Sequence, residues 1–299
     1  MPETLPALSL VAPPGRRRAV LDLAREIERR GFGGIFVPSF FSSVAQCSAL
    51  ALATKRIRLA TVIAPIHART VEDFAQNAAY IHEISGGRFI GIAYTPSNIR
   101  IGVMPGKPFG DLRAFIARLR GYEGIGALPP IILAALRPRM VALAGEIANG
   151  VIFGNVSRSH MPAALAVIPA EKRHDPDFIV ANAIPTCVSD DIEAAKAVAR
   201  RSLTGYTMLP NYRDYWKEAG YVEEMTAIEE AVAGGREAEI PNLMSERWLA
   251  DNTLYGPAAK VREGVAAWRE AGITTPVLVP FSASGNQFKA VKELFAAFA

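Results

Sequence analysis

Thiols are scarce in this chain. Of 299 residues only Cys47 and Cys187 are cysteines, and neither sits in a CxxC pair. That excludes a disulfide framework and a cysteine-built zinc site. The four histidines, His67, His82, His160 and His174, are dispersed without ligand spacing, so no metal site is expected. No apolar run reaches about 18 residues, the length a membrane-spanning helix needs. The opening MPETLPALSLVAPPGRRR puts its acid before the short apolar stretch and its arginines after it, the reverse of a secretory signal. The expectation is a soluble, cytoplasmic protein with no membrane partner. Only Arg16-Arg17-Arg18 forms a dense basic run, and no aromatics interleave it, so nucleic acid is not an expected partner. A net charge of +4 suits an anionic small molecule equally well. No Gly-x-Gly-x-x-Gly follows the first apolar run, which removes the main support for a dinucleotide-binding Rossmann sheet.

What is present is a repeated alternation of apolar strand and amphipathic helix. Eight strands are predicted: Leu5–Val11, Gly34–Val37, Ile57–Ala64, Arg88–Tyr94, Ile131–Ala135, Val151–Asn155, Phe178–Ala183 with an extension to Val188, and Pro276–Val279. Each is apolar throughout rather than alternating, the pattern of a parallel sheet covered on both faces. Helices are expected over 16–30, 43–53, 70–85, 109–120, 138–148, 159–168, 190–204 and 286–298. The first places Val20, Leu23, Ala24 and Ile27 at i, i+3, i+4 and i+7 and stops at Gly31. Eight such units in about 300 residues predict an α/β fold, a single-domain (β/α)8 TIM barrel over 1–299. Residues 205–257 break the rhythm and read as a helical insertion after the seventh strand, on the barrel face where active sites are built.

Three stretches carry a resemblance: LATVIAPIHAR (59–69), FAQNAAYIHEISGGRF (74–89) and IILAALRPRMVALAGEIANGVIFGNVS (131–157), supported by MSERWLADNTLYGPAAKV (244–261). In this order they resemble the luciferase-like monooxygenase superfamily of bacterial luciferase, FMN-dependent monooxygenases and oxidoreductases using the deazaflavin coenzyme F420. The resemblance implies a flavin or deazaflavin ring across the C-terminal mouth of the barrel, with F420 favoured over FMN. It implies a bulge with a non-prolyl cis peptide bond at Thr61–Val62 supporting the ring, and a hydrogen bond from Ser39. It places the cofactor's tail and phosphate at Ala135, Leu136 and Arg137, where a strand runs into a helix begun by Pro138, with Asn155, Ser157 and Arg158 as further matching positions and Arg158 favoured among them as the phosphate partner. Relatives often carry glycines where Leu136 and Arg137 stand. Phe40 and Phe41 would wall an apolar substrate pocket.

The departures from that pattern concern proton transfer. Deazaflavin relatives that oxidise alcohols end the second strand in an acid and a histidine, where this chain reads Val37-Pro38-Ser39-Phe40-Phe41. They place a glutamate after the fourth strand, where this chain reads Tyr94-Thr95-Pro96-Ser97. His67 and Tyr94 are left as catalytic candidates. The stretch between the fourth and fifth strands is short, so no substrate is inherited by analogy. The leading expectation is F420-dependent hydride transfer to or from an apolar or conjugated small molecule. The alternatives are an FMN-dependent monooxygenase and a non-catalytic flavin-binding homologue. A homodimer is compatible with the apolar helix faces.

Overall fold

Strand and helix alternate as far as residue 154, and runs of helices lie over 161–173 and 192–252, in a computed structural model that describes residues 4–38, 42–96 and 107–299. In chain order the elements are β1 (Ala7–Ser9), α1 (Arg17–Arg29), β2 (Gly34–Pro38), α2 (Ser43–Ala53), β3 (Arg58–Pro65), α3 (Val71–Ile84), β4 (Phe89–Thr95), α4 (Pro108–Arg120), β5 (Ile132–Ala134), α5 (Pro138–Ile147) and β6 (Gly150–Gly154). There follow α6 (Met161–Ala166), α7 (Ala170–Arg173), β7 (Ile179–Val188), α8 (Ile192–Thr207), α9 (Pro210–Glu218), α10 (Val222–Ala233), α11 (Ile240–Leu243), α12 (Glu246–Asn252), β8 (Leu254–Gly256), α13 (Ala258–Glu270), β9 (Thr275–Phe281) and α14 (Gln287–Ala297). All eight predicted strands are present, and the fold is the α/β class, a (β/α)8 TIM barrel. The short β8 and the helix α13 were not anticipated.

The chain forms two compact units, Met1–Ile152 with Val167–Ala181, and Phe153–Ala166 with Asn182–Ala299. In the first, β1 to β6 lie side by side in sequence order, all parallel. The start of β7 joins them through the Ile179 N–H, which donates to the Asn149 carbonyl at 3.0 Å. In α1 the buried residues are Val20, Leu23, Ala24 and Ile27, the stripe its spacing predicts, and Gly31 ends the segment at φ 82. In the second unit β7 pairs with β8 in parallel, Thr186 beside Leu254, and β9 lies next to β7.

The faces of the first sheet follow from its register. Ile92 and Tyr94 line a helix-side cleft with Ala78 of α3 and Leu119 of α4. Residues paired in a parallel ladder share a face, so Thr61, which pairs with Ile92, faces the helices too. Val62, paired with Ala93, faces the other way.

Two charged side chains tie the corner between α2 and β3, at the strands' N-terminal end. The Arg88 guanidinium donates to the carbonyls of Ala51 (2.8 Å), Thr54 (3.1 Å) and Ile57 (2.9 Å) and to the Thr54 hydroxyl (3.1 Å). It thereby satisfies carbonyls that the end of α2 leaves without helical partners. One carboxylate oxygen of Glu28 accepts the N–H groups of Lys55, Arg56 and Ile57 at 2.6–2.9 Å.

Candidate functional site

At the C-terminal end of β3 the ladder slips. Val62 pairs with Ala93 and Ala64 with Tyr94, so Ile63 is an extra residue. The peptide bond Val62–Ile63 is cis and non-prolyl. The expected bulge is therefore present, but its cis bond lies one residue beyond Thr61–Val62. Register against β2 holds as far as Val62, which pairs with Pro38, so the departure from regular strand comes after that residue.

The bulge leaves Val62, Ile63 and Pro65 half-buried, an apolar ledge at the end of the strand. Thr61 is fully buried on the helix face, and its hydroxyl has no hydrogen-bond partner. A direct cofactor contact from the Thr61 side chain is thus corrected: it belongs to the helix–sheet layer. Gln46 was missed. It is buried in α2, its amide nitrogen donates to the Leu10 carbonyl at 3.1 Å just past β1, and its amide oxygen has no partner. The available signal was a lone amide in the otherwise small and apolar stretch SVAQCSALALA.

The two catalytic candidates separate. His67 is exposed two residues beyond β3. Tyr94 is 2% exposed and packs edge-on against Phe74 of α3, at 5.4 Å between centroids, and tilted against Phe115 of α4 at 5.0 Å. Burial pushes its phenol pKa up. Tyr94, the last residue but one of β4, is therefore packed under the helices. Ser39, Phe40 and Phe41 lie outside the described residues. Cys47 and Cys187 are buried, and burial raises both thiols, Cys187 to about 11.

On β5, the Ala135 N–H completes the ladder to the Ile152 carbonyl at 3.0 Å, Leu136 is half-buried and Arg137 is exposed as the N-cap of α5. No acidic residue stands in the helix's first turn. Pro138 brings no N–H, and the Met140 N–H turns back to the Arg137 carbonyl at 3.0 Å. Of the first three helical positions only Arg139 keeps a backbone donor for a ligand, a thinner cradle than a glycine-rich loop gives. The Arg139 side chain stacks over Phe109 at 4.4 Å.

In the second unit the chain past β6 is held by the predicted insertion. Asn155 turns the chain at φ 55, a conformation Asn tolerates better than most residues. The Ser157 N–H donates to the Tyr215 hydroxyl at 3.0 Å and its own hydroxyl to Asn252 Oδ1 at 3.0 Å. Asp251 accepts from the Ser159 N–H (2.9 Å), the Ser159 hydroxyl (2.6 Å) and the Tyr221 hydroxyl (2.8 Å). Burial, with this bond to the Asp251 carboxylate second, pushes the Tyr221 phenol pKa up. Arg158 is half-buried within this loop, and its guanidinium has no partner among the described residues. Among the described residues no His, Cys, Asp or Glu cluster could hold a metal ion, and no helix is long and apolar enough to cross a membrane.

The model of a family described as luciferase-like monooxygenase matches residues 5–123 and 112–275. The chain belongs to this family. Among relatives of this luciferase-like chain, a protein of Mycobacterium tuberculosis with the provisional name coenzyme F420-dependent oxidoreductase is 24% identical, over 88% of this chain and 90% of its own. Among solved structures, the coenzyme F420-dependent tetrahydromethanopterin reductase of Methanopyrus kandleri aligns with a TM-score of 0.76 and 20% identity, covering 97% of each chain. An F420-dependent secondary alcohol dehydrogenase, solved with an F420-acetone adduct, aligns at 0.70 and 17% identity over 99% of each chain. At these identities the structural likeness speaks for the fold of the luciferase-like chain.

Proposed function

We propose that this protein is a coenzyme F420-dependent oxidoreductase. The observation that carries the reading is the half-buried apolar ledge Val62, Ile63 and Pro65 at the bulge of β3, in a family of which the three members compared above are named for F420. The residues present fit such a group. An apolar ledge suits one face of a ring, and two strands away, about 10 Å across the sheet, the acid-free start of α5 with Arg137 suits an anionic tail. When bound, F420 supplies the two-electron hydride chemistry. The chain's own residues then have three tasks. Val62, Ile63 and Pro65 keep water from the ring face and orient it. Arg137 and the Arg139 N–H hold negative charge, within the limit that Pro138 sets. His67, the exposed imidazole beyond the ledge, moves a proton at a ring nitrogen of its own. An apolar or conjugated substrate matches this ledge better than a sugar phosphate or alcohol, because the acid, histidine and glutamate of alcohol-oxidising relatives are replaced by Val37-Pro38-Ser39-Phe40-Phe41 and Tyr94-Thr95-Pro96-Ser97.

Titration of the purified protein with F420 and, separately, with FMN, followed by fluorescence quenching, tests the reading. F420 binding with a Kd below about 100 μM (roughly −5.5 kcal/mol) and weaker FMN binding is the expected result. Tight FMN binding without F420 binding would turn the protein into a flavin monooxygenase; binding of neither ends the oxidoreductase reading. The helix-side placement of Tyr94 favours, as a second reading, a homologue that binds F420 without turnover. Acceptor-dependent reoxidation of reduced F420 sinks that second reading.

A further inference from the structure

Helices α9 and α12 of the insertion, with Tyr221 at the start of α10, converge on one short loop. Trp216 of α9 and Ser157 both donate to Asn252 Oδ1, at 2.8 and 3.0 Å, while the Asn252 amide nitrogen donates to the Trp248 carbonyl at 2.7 Å. Trp216, Asn252 and Ser157 are all fully buried, so the amide's orientation is fixed on both sides. Next to it Asp251, 7% exposed, has no cation within ion-pair distance among the described residues; three donors from Ser159 and Tyr221 hold its charge instead. Arg247 stacks on the Tyr221 ring at 4.5 Å and steadies that donor. His160 abuts Tyr215 edge-on at 5.7 Å. Ser157 and Ser159 are thus pinned on either side of Arg158, whose guanidinium alone is left unspent.

A desolvated carboxylate satisfied only by hydroxyl and backbone donors is expensive to keep for packing alone, since an apolar residue would fill that space without the desolvation cost. Its geometry instead fixes the backbone of the residue between the two serines. We propose that Asp251 and Asn252 are positioning residues, which lock the loop Asn155–His160 so that Arg158 is presented to an anionic group of the ligand. The proposal rests on the F420 reading for the identity of that ligand and adds to it which residues set the affinity for the charged part. They act through Arg158 and touch no reacting atom.

The experiment combines amide hydrogen exchange with binding. In the protein without cofactor, Asp251→Ala and Asn252→Ala each speed exchange in residues 155–160 while exchange in β7 stays as in the wild type. F420 affinity falls about 10-fold in Asp251→Ala, the scale of one charge-assisted hydrogen bond. Affinity for the phosphate-free deazaflavin chromophore changes less than 2-fold. In an Arg158→Ala background Asp251→Ala adds less than 2-fold, because both changes remove one function. Asp251→Asn, which keeps the side-chain shape and one acceptor oxygen for the Ser159 N–H, recovers most of the affinity. Unchanged loop exchange overturns the proposal, and so do losses that multiply in the double variant or fall equally on both ligands. Failure of the wild type itself to bind F420 overturns the cofactor reading and the ligand half of this proposal, whereas normal F420 binding by Asp251→Ala overturns this proposal alone.

Discussion

Arg88, the arginine of the SGGRF stretch, offers a prediction whose size follows from its contacts. Arg88→Met keeps most of the aliphatic stem and deletes the guanidinium. Four hydrogen bonds are lost, at 2.8–3.1 Å, and the carbonyls of Ala51, Thr54 and Ile57 lose a partner. A hydrogen bond to a charged group contributes roughly 1.5–3 kcal/mol net. The four contacts share two nitrogens, and the corner is half-buried, so water reaches part of what is exposed. Counting two effective bonds at the low end gives a loss of about 3 kcal/mol, or roughly 5 °C in Tm for a chain of this size. Urea unfolding followed by far-UV circular dichroism reads the change as a lower midpoint at constant m-value. Arg88→Lys restores the charge but not the fork and recovers less than half. F420 affinity stays within about 2-fold, because the corner lies at the N-terminal end of the strands, the stability face of a barrel. A loss below about 1 kcal/mol, or an Arg88→Lys variant as stable as wild type, would refute the reasoning.

Glu28 sits in the same corner and makes stability depend on pH. Partial burial raises its carboxyl pKa, but the backbone donors of Arg56, Ile57 and Lys55 outweigh burial and hold it below the ordinary glutamate value. A lowered folded pKa means that the stabilisation is present above the unfolded pKa of about 4.3 and fades as pH falls through the folded value. Glu28→Gln should therefore lower the urea midpoint by a constant amount between pH 6 and 8, on the order of 1 kcal/mol, and the gap should close on acidification below about pH 4; a gap that widens with acid contradicts this. Tyr94→Phe leaves turnover within about 2-fold and stability within about 1 kcal/mol, because only the hydroxyl goes, whereas Tyr94→Ala opens a cavity against Phe74 and Phe115 and costs about 3–5 kcal/mol. For His67→Gln, kcat should drop about 100-fold with F420 affinity unchanged; full activity in this variant would return the proton-transfer role to water.

The strands were legible because a parallel sheet covered on both faces demands continuous apolar runs, and few other structures do. That same continuity hid which way each residue points. Thr61 and Tyr94 occupy strands with no polar alternation to mark a face, and both turned out to look toward the helices. The three-residue β8 carries no pattern of its own; it exists because β7 runs on to Val188 and offers Thr186, Cys187 and Val188 as partners. Helix α13 was hidden behind the boundary assigned to the insertion at residue 257. The bulge was placed within one residue, since Pro65 marks the strand's end but nothing in ATVIAP marks which residue is extra. The clasp of Ser157 and Ser159 by Asn252 and Asp251 joins groups 95 and 92 positions apart. No local spacing encodes such a pair.

That separation has a consequence for the order of events during synthesis. The loop after β6 is translated about 90 residues before the carboxylate and amide that hold it, and closing so long a segment is paid for in chain entropy before any bond rewards it. A nascent chain halted short of Asp251 would carry a complete β6 and an unfastened Arg158 loop. Strand formation and loop setting would then be separate steps, with the last turn of α12 as the piece that arrives to finish the second.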